Sequence, residues 1–151
     1  MACAKLQEYL DERRVKYVAV KHSPAFTAQE LAAATHIPGK EVAKTVVVKL
    51  DGTMVMVVLP APEMVRLNHL KVETGADHVE IASEEEFKGR FPDCEVGAMP
   101  PFGNLYEMRT LVEESLTEDE DIAFNAGSHT ELIRMSYADF EELVGPEVLR
   151  G

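Results

Sequence analysis

Cysteine, basic charge and long apolar runs are all scarce in this sequence, and each scarcity excludes something. The 151 residues include two cysteines, Cys3 and Cys94. So few, so far apart, build no disulfide framework and no CxxC metal or redox motif, so a reducing cytoplasm is the expected setting. The longest apolar stretch, Met54 to Pro62, falls far short of the roughly 20 residues that cross a bilayer, and no membrane partner is expected. The opening MACAKLQEYLDERR turns charged too early for the apolar core of a secretory signal. Fifteen Lys and Arg stand against 27 Asp and Glu, a net charge of −12. A protein that grips long nucleic acid presents a broad basic face. This chain has no charge for one, so any RNA contact must be small and local, or shared with another protein. GxSxG, Walker A, GxGxxG and HExxH motifs are absent. The five histidines, His22, His36, His69, His78 and His129, have no partners at metal-ligand spacing. Neither a metal nor a cofactor is expected.

What is present describes one domain over residues 1–151. The composition, 46% hydrophobic and 28% charged, is that of an ordinary soluble protein. A chain this long buries about 70% of its unfolded surface and needs no staple. Leu6, Tyr9 and Leu10 recur at helical spacing, predicting a helix over 3–14. Val15 to Lys21 reads as a strand. Thr27 and Glu30 match a capping box for a helix over 28–35, stopped by Pro38-Gly39. The strongest local signal is the pair of β-rich runs 43–50 and 53–59, joined by Asp51-Gly52. Asp-Gly favours the positive φ angles of a two-residue type I′ hairpin, and the unbroken apolar character of both runs predicts burial on both faces. Asn68 is expected to cap a short helix ending at Gly75. Ser83 and Glu86 form a second capping box after a strand at 79–82. Short strands follow near 109–113, 121–125 and 131–135, and Ser136 caps a helix over 137–144 closed by Gly145-Pro146. Strands and helices mix without βαβ alternation, so the fold class is α+β: a curved, mostly antiparallel mixed sheet flanked by short helices.

Three segments carry polar groups that a packed core does not call for. Lys44 opens the first hairpin strand. Lysine is rarely buried without a partner; at a strand mouth its ammonium could meet a phosphate, or the side chain could simply reach solvent. Gly97-Ala98-Met99-Pro100-Pro101-Phe102-Gly103 is stiffened by two prolines. Its glycines allow positive φ or a close ligand. Such a loop can aim backbone N–H groups at an oxyanion, or it can be a structural turn that carries Phe102 into the core. Asn125-Ala126-Gly127-Ser128-His129-Thr130 ends a strand in a turn that presents Ser128 and His129. His129 could act as a base or orient a substrate, or the turn could only face solvent. A Ser128–His129 dyad is disfavoured, because neighbours in a strand point to opposite faces. His22, in His22-Ser23-Pro24-Ala25-Phe26-Thr27, is a fourth candidate, with a surface or satisfied histidine as its alternative.

Taken in order, HSPAFTAQE, VAKTVVVKLDG, VGAMPPFG and FNAGSHTELIRMSYADFEEL resemble the YbaK/prolyl-tRNA synthetase editing-domain family, the aminoacyl-tRNA deacylases, over essentially the whole chain. The resemblance implies a sheet of roughly six or seven strands curled toward a barrel. It implies hydrolysis of mischarged tRNA, typically alanyl- or cysteinyl-tRNA for proline, by water attack on the ester. The partner is then the tRNA 3′ CCA end, with prolyl-tRNA synthetase or an elongation factor handing the tRNA over. Lys44 would hold the terminal adenosine through its phosphate. The loop from Gly97 to Pro101, continuing through Phe102 to Gly103, would line the aminoacyl pocket. The turn Gly127 to His129 would border the same cleft, with His22, Thr45, Asn125 and Ser128 counted among the substrate-binding residues and Lys44, Gly97 and His129 among the catalytic ones. The branch acting on cysteinyl-tRNA often carries Thr-Gly-Tyr before the loop; Cys94-Glu95-Val96 stands here, which favours alanine or another small residue. Two other readings compete. One is a non-catalytic module that binds a nucleotide or CCA end, or docks on a synthetase; the other is a hydrolase of small activated esters.

Overall fold

The computed structural model describes residues 4–25, 28–92, 94–95 and 97–150. Within them the chain runs α1 (Ala4–Glu12), β1 (Tyr17–Lys21), α2 (Ala28–Thr35), β2 (Ala43–Leu50), β3 (Thr53–Pro60), α3 (Leu67–Thr74), β4 (Val79–Ile81), α4 (Glu84–Phe87), β5 (Thr110–Glu113), β6 (Asp121–Ser128), β7 (Glu131–Ser136), α5 (Tyr137–Val144) and β8 (Glu147–Leu149). The α+β class holds. The expected single sheet of six or seven strands is instead eight strands in two sheets, β1-β7-β6 and β4-β2-β3-β5-β8, among the described residues. The first sheet is antiparallel throughout. In the second, β2 pairs antiparallel with β3 and β4, while β5 pairs parallel with both β3 and β8. A lone parallel bridge, Val42 to Ala123, joins the two sheets.

The β2–β3 hairpin forms as its sequence dictates, Ala43 facing Pro60 and Leu50 facing Thr53. Asp51 (φ 50°) and Gly52 (φ 87°) take the two positive angles of the turn. The Asp51 carboxylate also accepts the His78 N–H at 2.8 Å, tying the turn to β4. As the central strand of its sheet, β3 is buried on both faces. Met56 and Val58 enter the larger core, and Val55, Val57 and Leu59 enter a second core with Leu70, Leu111 and Leu149.

Two caps act as their sequences require. The Ser83 N–H donates to Glu86 Oε1 at 2.8 Å, and the Glu86 N–H to Ser83 Oγ at 3.3 Å. Ser136 Oγ accepts from the Asp139 N–H at 3.2 Å at the start of α5. Asn68 is a correction: it lies inside α3, whose N-cap is Arg66 with no side-chain bond, while Gly75 closes the helix at φ 75° as expected. The Thr27 capping box falls outside the described residues. Strand β8 is an addition, formed by the residues straight after the α5 stop.

The larger core is organised around Phe102, fully buried. Its ring meets Phe140 edge-on at 5.5 Å and Phe124 at 5.6 Å, clamping the 97–103 loop between β6 and α5. Truncation to Phe102→Ala is expected to cost about 3–5 kcal/mol, as other buried Phe-to-Ala changes do. Urea unfolding measures it, and a loss below about 1 kcal/mol would deny this ring its organising place.

Candidate active site

The site begins with a break in strand pairing. β6 pairs with β7 from Asp121↔Ser136 to Asn125↔Leu132, then resumes only at Ser128↔Glu131, leaving Ala126 and Gly127 as a bulge. Gly127 takes φ 95° there, a left-handed angle that a side chain would strain. Freed from β7, the Gly127 N–H donates to the Ala98 carbonyl at 2.9 Å, and the Glu95 N–H donates to the Gly127 carbonyl at 2.7 Å. The Glu95 carboxylate then accepts the His129 N–H at 2.8 Å. Three hydrogen bonds thus stitch the 95–98 loop to the end of β6.

On its other side the same turn holds the 22–25 segment. The His22 N–H donates to the Thr130 carbonyl at 2.8 Å, and the Ala25 N–H to the His129 carbonyl at 3.0 Å. His129 is nearly buried. Its Nδ1 sits 3.2 Å from the Ala25 carbonyl. A carbonyl only accepts, so Nδ1 donates to it. The imidazole packs against Gly97: a Cβ built on Gly97 would lie 3.5 Å from Cε1 and 3.9 Å from Nε2.

A cavity of about 150 Å³ opens in front of this assembly, lined by Leu31, Val42, Ala43, Lys44, Thr45, Gly97, Met99 and Asn125. Its floor is the small core of Ala25, Leu31, Val42, Ala61, Ala123 and Leu132, which includes the bridge between the two sheets. Two polar side chains in it lack partners among the described residues. Asn125 Oδ1 is buried with no hydrogen bond among them, an arrangement that costs free energy unless a donor is supplied. Lys44 is half-buried and has no ion pair among the described residues. Burial lowers its pKa from the usual lysine value, and the nearby Glu63 carboxylate partly restores it. A cation desolvated without a bonded counter-ion is suited to an anion that arrives with a ligand.

Of the residues singled out from sequence, Lys44, Thr45, Gly97, Met99 and Asn125 share this cavity. His129 stands behind Gly97 rather than on the wall. Ser128 is fully buried, its Oγ 3.2 Å from Thr130 Oγ1 and accepting the Thr130 N–H, which fixes it as a turn residue. Ala98, Pro100, Pro101, Phe102 and Gly103 are buried behind the loop. Gly103 is glycine for packing: a Cβ there would lie 2.2 Å from Thr110 Oγ1 and 2.4 Å from the Met108 carbonyl. His22 lines a separate depression with Val18, Val20 and Leu132. Of the backbone donors expected for an oxyanion, the Ala98 N–H is spent on the Glu95 carbonyl at 3.0 Å and that of Gly127 on Ala98. Gly97 keeps a weakly engaged N–H, 3.3 Å from the Met99 thioether. Sequence reasoning missed Glu95, Leu31 and Val42. The last two carry no chemistry to reveal them, and Glu95 looks like any other of the chain's many carboxylates.

No group of three or more His, Cys, Asp or Glu among the described residues could hold a metal. Likewise, no helix there is long and apolar enough to cross a membrane. A family described as the aminoacyl-tRNA editing domain matches residues 22–143. The Multifunctional Ser/Thr-tRNA deacylase ProXp-y of Escherichia coli (strain K12) is 29% identical over 112 residues, 71% of this chain and 66% of that protein. The Prolyl-tRNA editing protein ProX of Acetoanaerobium sticklandii is 23% identical over 141 residues, 89% of this chain and 85% of that protein. The solved structure of a hypothetical protein shares the fold with a TM-score of 0.84 at 24% identity, covering 95% of this chain and 96% of that one.

Replacing Glu95 with Ala removes the acceptor of the His129 amide. The turn should loosen by about 1 kcal/mol, seen as roughly five-fold faster amide exchange at His129 with the β2–β3 ladder unaffected. Exchange at His129 equal to that of the unaltered protein would show that the carboxylate does not hold the turn.

Proposed function

The chain belongs to the family of aminoacyl-tRNA editing domains, and on that premise we propose that it hydrolyses, in trans, the ester linking a wrongly attached small amino acid to the 3′ end of a tRNA. The observation that carries this reading is one small cavity lined by both Lys44, half-buried, and Asn125, whose Oδ1 has no hydrogen-bond partner among the described residues. An aminoacylated 3′ terminus brings the complementary groups: a phosphate for the ammonium, and an α-ammonium as donor for the amide oxygen. Three further features fit the chemistry. An aminoacyl ester is already activated, so water suffices as nucleophile and no serine or cysteine is required. The attack converts the carbonyl oxygen to an oxyanion, for which the weakly engaged Gly97 N–H is the available backbone donor. His129 packs beside Gly97, and its part in this reading is to hold that donor in place.

The small cavity accounts for the need for such an enzyme. A synthetic site built for proline discriminates against a residue smaller by one methylene by only about 1–3 kcal/mol. A second site that admits only small side chains removes the error. Alanine or cysteine attached to tRNA for proline is the leading substrate. Serine is a second reading, favoured by the unpaired Asn125 acceptor, which a side-chain hydroxyl could also satisfy; the Escherichia coli relative is named for Ser/Thr-tRNA.

Incubation with a panel of mischarged tRNAs, following release of amino acid, tests the activity. Lys44→Ala is expected to lower kcat/KM at least about 100-fold, the scale of losing a charged stabilising donor, with circular dichroism and melting temperature preserved. Undiminished turnover would remove Lys44 from the site. Asn125→Ala separates the substrates. Equal losses on alanyl- and seryl-tRNA assign Oδ1 to the α-ammonium; a loss confined to seryl-tRNA assigns it to the hydroxyl. Retained tRNA binding with no amino acid released from any tRNA would instead mark a binding module.

A further inference from the structure

We propose that the open edge of β1 is a docking rail for the phosphate backbone of the RNA strand whose 3′ end enters the Lys44 cavity. The proposal rests on the editing reading above and adds the surface that holds the body of the substrate.

Charge segregation is the first observation. The chain carries −12 overall, yet residues 13 to 29 contain no Asp or Glu and hold four of its 15 basic residues, Arg13, Arg14, Lys16 and Lys21. All four are exposed. Elsewhere, many cations are committed to carboxylates: Lys40 to Asp119, Lys49 to Glu80 and Glu86, Arg109 to Glu147, Arg134 to Glu41 and Asp121, Arg150 to Glu114. Among the described residues, Arg14, Lys16 and Lys21 have no ion pair, and Arg13 stacks over the Tyr9 ring at 3.8 Å with Glu12 4.0 Å away.

Topology is the second. β1 is the outer strand of its sheet, bonded only to β7. Its outward N–H groups are therefore available to acceptors such as phosphate oxygens. Lys16 and Lys21 lie on opposite faces by strand alternation and so flank that edge from both sides. A depression of about 550 Å³ lies at one end, lined in part by Tyr9, Arg13, Arg14 and Lys16. Another of about 420 Å³ lies along the strand, lined in part by Val18, Val20, Lys21 and His22. In the second, His22 Nε2 is buried without a hydrogen-bond partner among the described residues. Carboxylates border the strip without closing it: Asp139 and Glu142 on the first depression, Asp11 bonded to the Tyr17 hydroxyl, and Glu131 across from Lys21.

Continuity is the third. The C-terminal end of β1 runs directly into the 22–25 segment that is hydrogen-bonded to the His129 turn. A polyanion laid along β1 therefore reaches the candidate site. The five residues of β1 span about 17 Å, enough to run beside several successive phosphates of one RNA strand. A short acceptor stem fits the rail, and the acidic remainder of the surface repels RNA from other approaches.

The test uses the full chain and uncharged tRNA, read by fluorescence anisotropy across a salt series. Lys16→Glu/Lys21→Glu should raise Kd at least tenfold and flatten the slope of log Kd against log salt by about 1.5, the release expected from two phosphate contacts. Its kcat on a 3′-aminoacylated CCA trinucleotide, too short to reach β1, should stay unchanged. Lys71→Glu, the same charge change on α3, should alter Kd less than twofold, against a several-fold rise for Lys16→Glu alone. Unaltered tRNA affinity in the double variant overturns the proposal, as does an equal effect of Lys71→Glu, which would reduce the strip to net charge. Should no mischarged tRNA lose its amino acid, the deacylase reading falls alone, because the affinity difference is measured without catalysis and decides the docking surface by itself.

Discussion

The site depends on the stitch between the 95–98 loop and the bulge that ends β6. Two amide-to-carbonyl bonds and the Glu95 carboxylate hold the loop against the Gly127 turn. Everything chemical is referred to that seam. It sets Gly97 against the His129 ring, it spends the Ala98 and Gly127 amides, and it leaves the Gly97 N–H turned toward a thioether. Without the bulge, Gly127 would bond to β7 and the loop would have no purchase on the sheet. The extra residues in β6 are thus what join two stretches of chain about 30 residues apart into one cavity wall.

The other wall comes from the opposite sheet, and its position is set by burial. Val42 bridges to Ala123, and Ala43 lies against the larger core. Lys44 follows them into a strand whose remaining residues are mostly apolar, so its ammonium is held where water is limited. In water a lysine would be solvated and indifferent. Here the backbone register of the hairpin, fixed by Asp51-Gly52, determines that residue 44 rather than 43 or 45 presents the charge, since a slip of one residue would turn it to the other face. Turn chemistry at one end of a hairpin therefore helps to position the Lys44 cation at the other.

This explains which parts of the molecule were legible in the sequence. Local signals with a local cause were read correctly: the Asp-Gly turn, the Ser83 and Ser136 caps, the left-handed glycines at 75 and 145. Asn68 failed because a cap is decided by where the helix axis enters the fold, and the N-cap of α3 lies two residues earlier, at Arg66. The division into two sheets and the parallel pairing of β5 were invisible, because neither leaves a periodicity in either strand. At the site, Lys44 and Asn125, singled out for polarity that conflicts with burial, line one cavity. Phe102 and Gly103 were drawn in by proximity in sequence, although one is a core ring and the other a glycine demanded by Thr110 and Met108. His22 was displaced for the opposite reason: its backbone belongs to the site's hydrogen-bond network while its side chain turns to a neighbouring depression.

The proposed action of an acidic protein on an acidic polymer presents a physical difficulty, and the arrangement of charge bears on it. Long-range repulsion from a net charge of −12 opposes encounter with tRNA. At ionic strengths near 0.15 M that repulsion decays over about 8 Å, so only the charges beside the bound strand decide affinity. Lys40, Lys49, Arg109, Arg134 and Arg150 are already paired with carboxylates, whereas the β1 strip gathers four basic residues in a stretch that has no acidic one. The acidic remainder then works for selectivity. On the proposed docking, it disfavours RNA poses other than the one that lays the strand along β1 with its 3′ terminus at the cavity of about 150 Å³. A weak, directional grip of this kind suits an enzyme that must release correctly charged tRNA quickly, because additional phosphate contacts would strengthen the hold on right and wrong substrates alike.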